Sequence, residues 1–264
     1  MIGGNAFWFG SGGGVALGPY TTAFQTTVVS RGGSLTVDEL TYLNTFETSM
    51  GSDLAEFDRL WIHGLSNSIA ARTSFVNPSS TMITAVNSPT FTANVGYNGN
   101  GTTSYLNLNF TPSTQAVKFS QNNASFGIYC RTNLDAINVS LGSYDTQFTQ
   151  IRLLQGGSSY GYLFDAGGVG VTSALSDSLG LYSIKRVLTT VDLYKRGIFK
   201  STSGVVASSV PTISQYALCR NSNGTPDSLD TRVNSLTFYA SGSVNQLNFY
   251  NAVQALGTSI GWAV

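Results

Sequence analysis

The sequence is poor in charged residues and has no excess charge of either sign. Charged side chains make up 10% of its 264 residues, against roughly 25% in an average soluble domain. Lysine plus arginine and aspartate plus glutamate number 13 each, so the formal net charge is zero. Such a chain has no field that attracts phosphate backbones or anionic lipids. We therefore expect neither nucleic acid nor a membrane surface as a partner.

Long apolar runs and a secretory signal are also missing. No apolar stretch approaches the roughly 18 residues that a helix needs to cross a bilayer. The first charged residue is Arg31, so the N-terminus lacks the basic region that opens a signal peptide. The expectation is a mature chain that starts at Met1 and is soluble or assembled.

Residue types that carry catalysis are scarce. Glycosidases of β-sandwich folds place two carboxylates around one glycosidic bond, whereas Glu56 is the last glutamate of this chain. The aspartates are scattered and fall mostly among turn residues, where Asp commonly bonds its own backbone. His63 is the single histidine, and its position at a predicted helix end favours a structural role. The sequence predicts no catalytic residue and no enzyme.

The two cysteines, Cys130 and Cys219, lie far apart and belong to no C-x-x-C pair. A metal clip or a redox motif therefore has no support. We expect two buried free thiols, because free cysteine is among the most buried residue types. One disulfide between them stays open as the alternative.

A metal site is not predicted, although one calcium site stays open. Asp227 or Asp230, near Asn221 and Asn223, are candidate oxygen ligands in a loop. Ca²⁺ usually takes about six to eight oxygens, and the carboxylates here are few. The prediction is therefore no cofactor, with Ca²⁺ as the weaker alternative.

What the sequence does contain is apolar and aromatic material for a core. Hydrophobic residues make up 42% of the chain, with 15 Phe and 13 Tyr, which is typical of a folded globular protein. The first 33 residues differ in composition: they are rich in glycine and hold the cluster Phe7, Trp8 and Phe9. Because exposed aromatics are costly in water, we interpret residues 1–33 as an arm that docks this cluster onto a partner.

A helical hairpin is predicted within the next segment, residues 34–88. Thr36 and Glu39 form a capping box, followed by apolar residues at helical spacing as far as Met50. Asp53 is expected to cap a second helix with the buried positions Leu54, Phe57, Leu60 and Trp61. Both helices together cover about residues 36–64.

From residue 89 to residue 264 the pattern changes to short β-prone runs between Gly, Asn, Asp and Ser clusters, which indicates a sandwich or barrel. A final helix is predicted from a capping box at Ser243 and Gln246, ending at Gly257. We expect residues 34–264 to form one integrated unit. The predicted strands lie near 103–109, 125–132, 136–142, 147–154, 159–164, 181–189, 191–195, 214–220 and 233–240.

Three phrases resemble concanavalin A-like, or laminin-G-like, domains. Residues 91–110 read FTANVGYNGNGTTSYLNLNF, similar to the first strands of that sandwich. LYSIKR at 181–186 with VDLYKRG at 191–197 is similar to adjacent strands, and FYNAVQALGTSIG at 249–261 to its terminal helix. The resemblance implies a mainly β fold: an antiparallel jelly-roll sandwich with an N-terminal helical hairpin and a C-terminal helix.

The preface, with LAEFDRLWIH at 54–63, resembles the corresponding region in proteins of tailed phages of Bacteroidota. That resemblance spans roughly residues 35–261 and implies a virion surface. The expected function is a phage structural protein, most simply a head decoration or head-fibre component whose partners are capsid, fibre or tail subunits. A tail-associated adhesin that binds host glycans is the alternative, and a glycan hydrolase is the weaker one.

Glycan binding requires an exposed aromatic platform with amides nearby. Two places in the sequence meet this demand: Tyr97 with Asn98 and Asn100, and Tyr160 with Tyr162. These five residues are the candidate glycan-binding set. The alternative is that the same tyrosines face the core, and the sequence favours that interpretation.

Overall fold

The computed structural model describes residues 16–168 and 170–264. In that part of the chain a 3₁₀ turn over Gly51–Glu56 joins the second helix to the first strand. The helices are α1 (Pro19–Ser30), α2 (Val37–Met50), α3 (Ser68–Arg72), α4 (Pro112–Gln115) and α5 (Gln246–Ile260). The strands are β1 (Phe57–Ile62), β2 (Ser74–Val76), β3 (Thr84–Val86), β4 (Thr90–Thr92), β5 (Gly96–Asn98), β6 (Tyr105–Asn107), β7 (Asn123–Cys130), β8 (Leu141–Tyr144), β9 (Phe148–Gln155), β10 (Ser158–Asp165), β11 (Val171–Ala174), β12 (Gly180–Val187), β13 (Thr190–Lys195), β14 (Ile198–Gly204), β15 (Tyr216–Ala217), β16 (Arg220–Ser222), β17 (Thr225–Asp227) and β18 (Asn234–Ala240).

The strands form two sheets. The first has the order β14-β13-β12-β7-β18-β1-β2, with β5 attached to β18 and β4 to β5. The second has the order β11-β10-β9-β8-β15-β6-β3 and carries the β16–β17 hairpin on β8. Neighbouring strands are antiparallel, apart from β16 against β8. The predicted class is confirmed: a mainly β protein, with two antiparallel sheets in a sandwich and helices at both ends.

The central strands of the first sheet are buried on both of their faces. In β18, Phe238 points away from the second sheet and packs with Phe249 of α5, at 4.8 Å between ring centroids. Tyr239, the next residue, points between the two sheets and stacks on Phe126 of β7. Helices α1, α2 and α5 together cover the outer side. All seven residues of β18 are buried, as expected for a strand that is covered on both sides.

Helix α2 forms as its sequence predicts. Thr36 caps it, accepting a hydrogen bond from the Glu39 amide at 3.1 Å, while the Glu39 carboxylate accepts one from the Thr36 amide at 2.9 Å. Leu43 and Phe46 are buried. The capping box therefore both starts the helix and sets which of its faces meets the sheet.

The prediction of a second helix in the hairpin is wrong. After the 3₁₀ turn the chain continues as β1, inside the first sheet between β18 and β2. Leu60 and Ile62 face the helices, and Trp61 faces the second sheet. A short apolar segment fits a helix or a strand that is buried on both faces, and periodicity does not separate the two.

A buried carboxylate ties β1 to the rest of the sandwich. Asp58 is 2% exposed and accepts hydrogen bonds from the backbone amides of Val117, Lys118 and Phe119, at 2.7 to 3.1 Å. These bonds satisfy the charge that β1 carries into the interior. They also fix the loop that precedes β7.

The predicted boundary of the arm at residue 33 lies too late. Residues 19–30 form α1, whose Phe24 and Val28 are fully buried in the helical layer. The carboxylate of Glu47 in α2 accepts a hydrogen bond from the Thr21 amide at 2.8 Å. The packed structure therefore includes α1, because its apolar face is part of the core.

Most predicted strands from residue 103 onward are present, with shifted ends. The run at 214–220 is split into β15 and β16 by Leu218, which has a φ of 66°. The sequence missed β1 as a strand, the short strands β2 to β5, and β11, β14 and β17. Apart from β1 and the seven-residue β14, these strands have only three or four residues and carry too little alternation to be recognised.

Helix α5 begins later and ends later than predicted. Asn245, rather than Ser243, is the N-cap, and Gly261 in the left-handed region ends the helix. This start turns Leu247 outward, where it is 51% exposed, and buries Phe249. Gly257, predicted as the terminator, lies inside the helix.

Gly257 is required by the ring of Trp262. A Cβ at position 257 would lie 2.7 Å from Cε3 of that indole, and one at Gly64 would lie 2.4 Å from its Cδ1. Trp262 is fully buried, and its ring packs edge-on against Tyr129 at 4.9 Å. The indole is thus held in a slot between two glycines, which joins the C-terminus to the first sheet.

We predict that Gly257→Ala destabilises the protein, although alanine normally favours a helix by about 1 kcal/mol over glycine. Overpacking against Trp262 should outweigh that gain and lower the free energy of unfolding by about 1–2 kcal/mol. Urea unfolding measures the change. Thr258→Ala, at the exposed neighbouring position, is the control. If Gly257→Ala stabilises the protein as much in the wild type as in a Trp262→Leu background, the slot does not exist.

Candidate functional site

The outer face of the second sheet carries a group of aromatic and arginine side chains. In β8, β9 and β10, alternate residues enter the core, as Leu141, Ile151 and Leu163 do. The residues between them point to the other side of the sheet, because side chains alternate along a strand. We call the following group the aromatic face: Tyr144, Phe148, Tyr160, Tyr162, Arg152 and Arg220.

The strand register brings the rings of the aromatic face together. Tyr144 pairs with Phe148 across β8 and β9, and their rings stack at 4.4 Å. Phe148 also contacts Tyr162 of β10 at 5.5 Å. Tyr160 lies two residues further along β10, opposite Arg152. Phe148 therefore contacts a ring on each side, and with Tyr160 the four rings line one partly exposed surface.

Arg220 reaches the aromatic face from the β16–β17 hairpin. Its guanidinium lies 5.7 Å from the centroid of Tyr144 and 5.8 Å from that of Phe148, within range of cation–π attraction. It donates to Gln150 Oε1 at 3.2 Å and is ion-paired with Asp227. Partial burial alone would raise the pKa of Asp227, but the hydrogen bond from Arg220 holds that pKa below its ordinary value.

Arg152 lies at the centre of β9 and is bound less completely. Its Nη1 donates to Gln155 Oε1 at 3.2 Å. Among the described residues no carboxylate is within ion-pairing distance of it. Partial burial raises the pKa of the nearby Tyr162 hydroxyl, and the charge of Arg152 acts in the opposite direction. The aromatic face thus has two cationic side chains, of which Arg220 is neutralised by its ion pair with Asp227.

The structure separates the two predicted glycan-binding groups. Tyr160 and Tyr162 lie on the aromatic face. Tyr97 does not offer a platform: it is 2% exposed, and its ring packs against Phe91 at 4.9 Å inside the core. The core-facing alternative therefore applies to Tyr97, whose neighbour in the chain, Gly96, lets β5 approach β18 closely.

The amides near Tyr97 serve the loop in which they lie. Asn100 is exposed, but its Oδ1 accepts hydrogen bonds from the amides of residues 102, 103 and 104 at 2.8 to 3.0 Å. Asn98 is half-buried and donates to the Gly99 carbonyl at 3.3 Å. Both side chains thus stabilise local turns, as short amides commonly do.

Sequence reasoning missed Tyr144, Phe148, Arg152 and Arg220. A signal for two of them exists, because Phe148 and Arg152 alternate with Thr149, Ile151 and Leu153 in a predicted strand. The alternation indicates that they share a face, but not that this face is open. No sequence pattern indicates that Arg220 belongs to this group, because its position depends on how the β16–β17 hairpin folds.

The candidate calcium ligands are engaged with other groups. Asp230 is fully buried and ion-paired with Arg232 at 3.0 Å, and Asp227 is paired with Arg220. Asn221 Oδ1 accepts a hydrogen bond from the Gly224 amide at 2.7 Å, which closes the hairpin turn. The described part of the chain contains no group of three or more His, Cys, Asp or Glu side chains that could hold a metal.

Both cysteines are free and buried, as predicted. Burial raises the pKa of the Cys130 thiol to about 12 and that of Cys219 further still. These thiols are therefore protonated core residues. Phe7, Trp8 and Phe9, the predicted docking cluster, lie outside the described residues. Within residues 16–168 and 170–264 no helix is both long and apolar enough to cross a bilayer.

His63 is structural, although it follows a strand rather than ending a helix. It is fully buried, with Nδ1 2.8 Å from the Ala71 carbonyl and Nε2 3.2 Å from Thr237 Oγ1. Burial lowers the pKa of its imidazole from 6.5 to about 4. The ring is thus neutral near pH 7 and joins α3 to β18.

No model of a known protein family matches this sequence, and no curated protein matches it. Among solved structures, it is similar to the binding domain of botulinum neurotoxin serotype D, with a TM-score of 0.52 and 10% identity over 74% of this chain and 51% of that one. A second structure of that receptor-binding domain gives 0.52 and 12%, over 76% and 53%.

The chain is also similar to the sialidase of Trypanosoma rangeli, solved in complex with sialic acid. The TM-score is 0.50 at 13% identity, over 74% of this chain and 32% of the sialidase. The chain thus spans about half of the toxin domains and a third of the sialidase. At such low identity these similarities show a shared β-sandwich fold and nothing further.

We predict that the neutral His63 makes stability depend on pH. The unfolded chain binds a proton near pH 6.5, while the folded chain resists it down to about pH 4. The contribution of His63 to the free energy of unfolding should therefore be fully present above about pH 6.5. It should decrease at lower pH, by about 2 kcal/mol between about pH 7.5 and about pH 5. Urea unfolding at both values tests this, with His63→Gln as the comparison. An equal decrease in the variant would show that other groups cause it.

Proposed function

We propose that this chain is a non-catalytic, lectin-like binding domain that holds a carbohydrate on its aromatic face. The observation that carries the proposal is the contact of Phe148 with both Tyr144 and Tyr162 on a partly exposed sheet surface. Such rings pack against the apolar faces of sugar rings, while nearby polar groups hydrogen-bond to hydroxyls. Arg152 and the tyrosine hydroxyls supply those polar groups.

The position of the aromatic face supports this function. Helices cover the outer side of the central strands of the first sheet, whereas none of the helices α1 to α5 covers the rings of the aromatic face on the second sheet. Its strands β8, β9 and β10 are joined by short turns, which hold the side chains in fixed positions. A rigid array of side chains loses little conformational entropy when a ligand binds.

The comparisons support a binding function by analogy. The toxin structures are described as binding or receptor-binding domains, and the sialidase was solved with sialic acid. All share the sandwich fold with this chain. Because one fold serves many functions, the proposal depends on the aromatic face itself.

The charged groups of the aromatic face favour binding over hydrolysis. Glycoside hydrolysis usually needs two carboxylates at a set separation. The carboxylate that touches this face, Asp227, is ion-paired with Arg220, which opposes a role as an acid or nucleophile. Turnover of a polysaccharide by the purified protein would support the hydrolase alternative instead.

The setting that we propose is the surface of a phage particle. The resemblance of residues 35–261 to phage proteins supports it, with capsid, fibre or tail subunits as partners. Phe7, Trp8 and Phe9 would supply the docking contact, and the aromatic face would remain free to bind host glycans. This setting joins decoration of the head and host attachment in one polypeptide.

We predict that Phe148→Ala weakens saccharide binding, because it removes the central ring of the aromatic face. The loss should be about tenfold or more in affinity, as for other central aromatic contacts. The measurement is a glycan array followed by calorimetry with the best ligand. Tyr42→Ala, in the helical layer, is the matched control and should bind normally. Failure of the wild type to bind any saccharide, or equal binding by Phe148→Ala, would refute the proposal.

We also predict that removal of residues 1–15 prevents incorporation into particles. This deletion stops short of Pro19 and leaves α1 in place, so the sandwich should unfold at the same urea concentration as the full chain. The measurement is the amount of tagged protein that co-purifies with particles. A chain with Phe7, Trp8 and Phe9 changed to Ala should behave like the deletion. Normal incorporation of both would show that the cluster is not the anchor.

A further inference from the structure

The guanidinium of Arg152 has unused hydrogen-bonding capacity. Of its donors, Nη1 bonds Gln155, whereas Nε is buried and has no partner. Its Nη2 has no partner among the described residues and is not enclosed, so this terminal group is free to bond an acceptor from outside the chain beside the aromatic rings.

Arg220, on the same face, differs from Arg152 in how its charge is matched, although its Nε is likewise buried without a partner. It bonds both Gln150 and Asp227, and its plane covers two aromatic rings. Its charge is therefore matched by a carboxylate of the hairpin that carries it. Arg152 lies two residues after Gln150 on β9 and points to the same face. Among the described residues it has no carboxylate partner.

The carboxylates around the aromatic face serve the turns between its strands. Each of three aspartates accepts hydrogen bonds from at least two backbone amides of these turns or of an adjacent loop. Their oxygens are thus committed to the backbone, and none forms an ion pair with Arg152. These aspartates are Asp135, Asp145 and Asp165.

From this arrangement we infer that the saccharide held by the aromatic face is acidic, with its anionic group bound by Arg152. The inference rests on the proposed function and names the ligand class of that site. A carboxylate or a sulfate ester presents two or more acceptor oxygens, which the planar fork of arginine can bond in pairs. The sugar ring that carries the anion would pack on Phe148 and Tyr162.

The test is an array that carries neutral oligosaccharides together with carboxylated and sulfated counterparts of the same backbones. Acidic members should bind most tightly, and their binding should weaken as salt increases. Arg152→Gln should reduce affinity for them about tenfold or more, and by a larger factor than for their neutral counterparts. Arg152→Lys should retain part of the affinity. Lys200→Gln, which removes the same charge from β14, is the control and should have no effect.

The outcomes separate this inference from the proposed function. Equal binding of neutral and acidic counterparts, or an unchanged Arg152→Gln, would overturn the acidic ligand, whereas loss of binding in Phe148→Ala would still support a saccharide site. Absence of all saccharide binding by the wild type would overturn both. The difference between the carboxylated and sulfated members identifies which anion Arg152 prefers.

Discussion

The burial of the central strands of the first sheet on both faces is the constraint on which the rest of the structure depends. Strands β1, β7 and β18 lie between the helical layer and the second sheet, so their side chains are buried along almost their whole length. Polar groups drawn into that interior must be satisfied, and Asp58 and His63 are each held by hydrogen bonds. The first sheet therefore has no free face over these central strands, and the aromatic face lies on the second sheet.

In the second sheet, side chains alternate between the core and the outer face along each strand. Inward residues of β8, β9 and β10 complete the core, and the residues between them form the aromatic face. One side of each strand therefore contributes to stability, and the other side contributes to binding. The β16–β17 hairpin then adds Arg220 from a distant part of the sequence, and its ion pair with Asp227 leaves Arg152 as the cation that lacks a carboxylate partner.

Several elements were predictable because their causes are local. The capping box at Thr36 and Glu39 specifies where α2 begins, and the runs that form β7, β9, β10, β12 and β13 show strand composition. The segment that forms β1 was read as a helix because its apolar spacing fits both structures. Tyr97 was read as a possible platform because an aromatic ring between amides has the same local sequence whether it is exposed or buried.

The sequence by itself determined a mainly β protein with helices at both ends, a core rich in aromatics, and a surface with few charges. These properties follow from composition and from patterns within about ten residues. Only the tertiary structure decided which strand faces are covered, and hence that Tyr162 is available and Tyr97 is not. It also decided that Phe148, Arg152 and Arg220 share one surface, because the pairing of β8, β9, β10 and β16 brings together residues that are distant in the chain.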